Sequence, residues 1–169
     1  MIIVDVETTG IDPHKNSLLS IGAVDYEKGD EFYVECHAFP NSEIDPISLE
    51  INGYTREQCL DMTKPSPVEA YKKFLWWSTD NRLVMLAGQQ VGSFDAKFLQ
   101  YVHELAGFGK WPFGYRTIDL HSVAYAKFGE SLNLDGILAR LGLEAEPKPH
   151  NALTGARKEA EAFRLLLHP

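Results

Sequence analysis

The N-terminal stretch Ile2-Ile3-Val4-Asp5-Val6-Glu7 sets two acids two positions apart inside an otherwise apolar run. Residues two apart on a strand share a face. A strand here therefore turns Asp5 and Glu7 one way and Ile2, Val4 and Val6 the other. The apolar side demands a covering layer, and two carboxylates near a strand end offer oxygens suited to a hard divalent cation. An ordinary strand end with exposed acids is the competing reading of the same residues. Two further strands are expected, Leu18 to Tyr26 and Phe32 to Ala38. The turn Lys28-Gly29-Asp30 between them predicts an antiparallel hairpin.

Helical spacing dominates after these strands. Val68, Tyr71, Phe74 and Leu75 predict a helix over Pro67 to Ser78, and Phe94, Phe98, Tyr101, Val102 and Leu105 predict one over Phe94 to Leu105. Leu83 to Ala87 reads as a buried strand. Thr117 to Leu120 reads as a short strand leading into a helix over Val123 to Phe128. Leu134 to Leu141 is a helix closed by Gly142, and the last helix runs from about Asn151 to Leu167. Strands first, then alternating helices and strands, predict an α/β protein with a mixed sheet flanked by helices.

A chain of 169 residues suits one domain, here 1–169, with one sizeable core. No apolar run approaches the roughly 20 residues of a membrane span, and no signal peptide is recognisable at the start. The expectation is a cytoplasmic protein with no membrane partner. Cys36 and Cys59 lack metal-ligand spacing and read as two reduced thiols. The formal net charge of -8 argues against holding nucleic acid mainly by neutralising phosphates. It does not exclude an enzyme that meets phosphate through cations held by its own carboxylates.

Two more residues could join Asp5 and Glu7. Asp95 opens the helix that follows Gly88-Gln89-Gln90-Val91-Gly92, where an acid also complements the helix dipole. His150 follows Pro147-Lys148-Pro149 and precedes Asn151, an N-cap for the last helix. An imidazole with an ordinary pKa of about 6.5 suits a general base near neutral pH.

The order of these pieces carries a resemblance. Asp5-Val6-Glu7-Thr8-Thr9-Gly10, Ser20-Ile21-Gly22-Ala23-Val24, Ile51-Asn52-Gly53-Tyr54-Thr55, Ser93-Phe94-Asp95 with Phe98-Leu99, Thr117-Ile118-Asp119-Leu120 and His150-Asn151-Ala152-Leu153 resemble, in sequence order, the DEDD exonucleases of the histidine subtype. That group includes polymerase III epsilon proofreading subunits and enzymes like ribonuclease T. The resemblance spans nearly the whole chain. It implies a ribonuclease H-like fold with a five-stranded mixed sheet and two divalent ions, Mg²⁺ or Mn²⁺. It further implies removal of nucleoside monophosphates from the 3′ ends of single-stranded DNA or RNA. By resemblance, Asp5 bridges both ions, Glu7 and Asp95 ligate, and His150 takes a proton from the attacking water. The turn Thr8-Thr9-Gly10 would meet the terminal nucleotide, and Ile11 would wedge against its base. Asp119 is kept as a structural N-cap.

One position departs from the pattern. The family's fourth acid stands five residues after the histidine, where this chain has Gly155. Three readings compete. Glu159, one helical turn later on the same face, leans back into space left open by the glycine and substitutes; Glu161 is rotated away. Alternatively, the chain keeps the fold as a catalytically weakened or silent module that binds nucleic acid or protein. In the third reading the glycine was introduced to disable the enzyme.

Overall fold

The computed structural model describes residues 1–79 and 84–168. Among the described residues, five strands form one sheet in the order β3-β2-β1-β4-β5. They are β1 (Ile2–Thr8), β2 (Leu18–Asp25), β3 (Glu31–Glu35), β4 (Leu86–Gly88) and β5 (Thr117–Asp119). β1 pairs antiparallel with β2, and β2 with β3, whereas β1–β4 and β4–β5 are parallel. The mixed five-stranded sheet is thus the expected one. The β2–β3 turn is closed by Gly29, whose φ of 78° is in the left-handed region that glycine adopts without strain. The expected strand from Leu83 begins outside the described residues, and its described part pairs from Leu86.

Helices cover both faces. The side of Ile2, Val4 and Val6 packs on α3 (Pro67–Thr79) and α4 (Asp95–Leu105) through Tyr71, Phe74, Phe98 and Val102. The side of Ile3 packs on α5 (Leu120–Phe128), α6 (Leu134–Arg140) and α7 (Ala152–Leu167) through Leu120, Ile137, Ala156, Ala160 and Phe163. β1 is central, so both its faces are buried, and the alternation read from its sequence divides it between two cores.

Two short helices were not foreseen. α1 (Pro46–Asn52) is capped by Asp45, whose side chain accepts from the Ile47 N–H, and closed by Gly53 at φ 73°. α2 (Arg56–Cys59) carries a reciprocal capping box between Thr55 and Gln58. Their cap signals are visible in the sequence, but seven and four residues are too few for periodicity to register.

Gly22 explains how α7 reaches the acids. In the β1–β2 register Gly22 stands opposite Asp5. A Cβ on Gly22 would overlap the Ala152 and Leu153 backbone. The missing side chain lets the start of α7 lie directly on the sheet beside Asp5. Asn151 caps α7 by accepting from the N–H groups of Leu153 and Thr154.

Candidate active site

A cleft of about 300 Å³ opens where β1 ends against α4 and α7, and the expected acids meet there. Asp5 and Glu7 reach it from β1, Asp95 from the first turn of α4, Glu159 from α7, and His150 from the segment before α7. Glu146, which the sequence reading left out, joins them.

Each side chain is placed by local structure. Asp95 is 3% exposed and accepts from the Val6 N–H at 3.0 Å. The β1–β4 pairing covers Ile2 and Ile3, so the α4 acid serves a β1 N–H beyond it. Glu159 is 3% exposed, and its Oε1 accepts from the Gln89 N–H at 3.0 Å. Glu159 is therefore not a solvated helix residue. Glu161, in contrast, pairs with Lys158 at 3.2 Å and stays half-exposed, as its rotation predicts. The His150 ring brings Nδ1 to 3.0 Å from Glu146 Oε2.

α1 ties the rim together. Asn52 donates from Nδ2 to the Thr8 carbonyl at 3.0 Å and also hydrogen-bonds Glu7. The Ile51 carbonyl accepts from the His150 N–H at 3.1 Å. A short helix thus holds one end of β1 and the histidine segment in common. Asn52 lay inside a motif that carried the resemblance, yet its type alone did not mark it as a positioning group. Glu146 sits in an irregular segment where one acid among many gives no signal beyond its spacing of four from His150.

The expected substrate turn is only partly available. Thr8 and Gly10 line the cleft, and Ile11 is 81% exposed at its mouth. Thr9 is fully buried: its hydroxyl donates to the Glu43 carbonyl at 2.7 Å and accepts from the Ser17 N–H at 2.8 Å. It holds the turn and does not face the cleft. The Thr8 hydroxyl donates to the Gly10 carbonyl at 2.6 Å. Gln90 lines the cleft with φ at 56°, a left-handed conformation uncommon outside glycine. Asp119 caps α5, accepting from Ser122 N–H at 3.0 Å, as expected. Cys36 and Cys59 are both buried free thiols, as expected.

The space beside Gly155 also needs correction. It was expected to stand open for Glu159. Instead the Asp5 carboxylate fills it, and a Cβ on Gly155 would overlap Asp5 Oδ2. Glycine here makes room for Asp5, while Glu159 approaches along β4, within 2.9 Å of where a Gly88 Cβ would stand.

The electrostatics are unfavourable without a counter-charge. Burial, with repulsion from Asp95, Glu159, Glu7 and Glu146, holds the Asp5 carboxyl well above the ordinary range. Burial, with repulsion from Glu146 and Asp95, pushes Glu7 up to about 8. Burial raises Asp95 to about 7 against two stabilising backbone N–H groups. Glu146 and Glu159 are raised too, both chiefly by burial. Glu146 Oε1 and Glu159 Oε2 are buried with no hydrogen-bond partner. Buried carboxylates of this kind call for a cation. Among the described residues, no three His, Cys, Asp or Glu side chains close on a common point as a finished ion cage. The all-oxygen donors and two orphan oxygens fit a hard divalent cation.

Among the described residues no helix is long and apolar enough to cross a membrane. The 3′-5′ DNA exonuclease Cap18 of Escherichia coli is 33% identical over 173 residues, covering 98% of this chain and 90% of that protein. A PolC-type DNA polymerase III of Thermotoga maritima is 32% identical over 166 residues, which are 96% of this chain but only 11% of the polymerase. The nuclease domain of 3′hExo, a DEDDh family member solved with rAMP, shares the fold with a TM-score of 0.75 at 20% identity, over 98% of this chain and 90% of that one. These neighbours have the ribonuclease H-like exonuclease fold. The family model described as Exonuclease (RNase_T) matches residues 2–163, and the chain belongs to that exonuclease family.

Proposed function

We propose that this chain is a metal-dependent 3′→5′ exonuclease that releases nucleoside monophosphates from single-stranded DNA or RNA. The observation that carries the reading is the convergence of Asp5, Glu7, Asp95, Glu159 and His150 on one cleft, with a Glu159 oxygen buried and unpartnered. Asp5, Glu7, Asp95 and Glu159 would hold two divalent ions, Mg²⁺ or Mn²⁺, with Asp5 shared between them. Those ions would supply the positive charge that stabilises phosphoryl transfer. His150 takes the proton of the attacking water. Its ring is about one-third exposed, which leaves it reachable from solvent. Thr8, Gly10 and the exposed Ile11 receive the terminal nucleotide, with Ile11 against its base. Thr9 supports that turn from inside. A single domain over residues 1–169 in the cytoplasm is consistent with this activity.

A relative named as a DNA exonuclease makes DNA the first substrate to try. Single-stranded DNA and RNA oligonucleotides labelled at the 5′ end should give descending ladders with Mn²⁺ and none with excess chelator. Full cleavage in chelator would sink the metal mechanism. Binding without cleavage in Mn²⁺ would favour the silent binding module that Gly155 suggests.

A further inference from the structure

Glu146 is the one cleft carboxylate without a role in the reading above. It lies between α6 and α7 and is 7% exposed. Its Oε2 stands 3.0 Å from His150 Nδ1, and the Asn151 backbone N–H also donates to the carboxylate. The histidine is held from the other side as well. The His150 N–H donates to the Ile51 carbonyl at 3.1 Å, and Pro149 packs within 2.6 Å of where a Gly53 Cβ would stand. Main chain and ring are therefore fixed separately. Stability does not account for a carboxylate here. Glu146 is buried beside other acids, and its repulsion is the largest charge effect on Glu7. Such a group costs the fold more than an apolar residue would.

The chemistry of the contact is directional. A carboxylate accepts hydrogen bonds and a neutral imidazole carries one N–H. With Nδ1 facing the carboxylate, the proton sits on Nδ1 and the lone pair remains on Nε2. We propose that Glu146 is a positioning residue for His150: it fixes the ring orientation and selects the tautomer whose Nε2 is free to take a proton. A partner on the second ring nitrogen commonly sets which nitrogen acts. The inference rests on the reading of His150 as the general base.

The tautomer can be read without turnover, so the pairing stands or falls apart from the exonuclease reading. Nitrogen-15 NMR of histidine-labelled protein, at a pH where the ring is neutral and with His150→Ala for assignment, should show His150 protonated on Nδ1. Glu146→Ala should release it to the Nε2-protonated form favoured by a free side chain. An unchanged tautomer in Glu146→Ala would overturn the proposal. Kinetics on a labelled oligonucleotide supply the second readout. Glu146→Ala should lower kcat roughly 10–100-fold, the usual effect of losing an outer partner of a functional histidine, with KM unchanged. Glu146→Gln, whose amide oxygen still accepts, should recover part of that loss. In the His150→Ala background, Glu146→Ala should add nothing. Losses that multiply in the double variant, or a drop in Mn²⁺ affinity with the tautomer intact, would refute positioning and make Glu146 an ion ligand.

Discussion

The cleft has two walls, and they treat their acids differently. On the sheet wall, Asp5 and Glu7 are held by β1, whose register with β2 and β4 is set by backbone hydrogen bonds. Asp95 is anchored to the same strand through the Val6 N–H. On the helix wall, Glu159 rises from α7, and Glu146 and His150 come from the irregular segment before it. Both orphaned carboxylate oxygens, Glu146 Oε1 and Glu159 Oε2, belong to the helix wall. A strand that must keep its register has little freedom to move an acid. A helix can move one by a turn, because a glutamate reaches back toward the helix start. Gly155, which has no side chain to offer an ion, lies on the wall that can absorb its absence.

If the sheet wall is indispensable, Asp5→Ala should have the largest effect. Activity should fall to background, since the Asp5 carboxylate, reaching from β1 to the Gly155 position of α7, is the acid read as shared between the ions. Metal-free, the variant should melt higher than the parent, by roughly 2–4 °C for each kcal/mol of repulsion relieved. Substantial residual turnover would show that Asp5 is not shared between ions. On the helix wall, His150→Ala should lower kcat roughly 10²–10⁴-fold, the usual worth of a positioned base. Oligonucleotide binding should change much less. A variant turning over at the parent rate would remove His150 from the chemistry.

The walls also differ in how readily the sequence discloses them. The sheet wall was legible because alternation on a strand has a period of two and Asp5 and Glu7 obey it. α7 was legible from its length and from Asn151 as a cap. Glu159 was found as a candidate because helix geometry links it to Gly155. Three things were hidden, each for a physical reason. Glu146 lies in a segment with no period. The burial of Thr9 depends on contacts with Glu43 and Ser17, which no local pattern displays. The space beside Gly155 belongs to Asp5, a residue 150 positions away, and only the packing of α7 on Gly22 brings the two together.

A smaller effect, common to both walls, appears through pH. Glu7, raised to about 8, and Asp95, raised to about 7, keep protons in the fold that the unfolded chain has released. Raised carboxyl values favour the fold at low pH. This contribution is complete below the ordinary range near 4.5 and lost as pH climbs past about 8. The melting temperature of metal-free protein should therefore rise between pH 8 and pH 5, and Mn²⁺ at pH 8 should restore stability. A melting temperature that falls over that interval without metal would contradict the buried-acid account. The smallest change is expected from Gly155→Asp. Because Asp5 already occupies that space, the added carboxylate should crowd it, and activity should not rise. A large gain would show that the helix wall lacks an acid after all.

The most direct measurement is a crystal structure of the protein soaked with Mn²⁺, with the ions located by anomalous scattering. The account predicts ions between the walls, with Asp5 touching them from the sheet side. A Glu159 oxygen should lie about 2.0–2.6 Å from an ion, or one water away. Ions held by the sheet wall alone, with Glu159 still bound only to the Gln89 N–H, would contradict it.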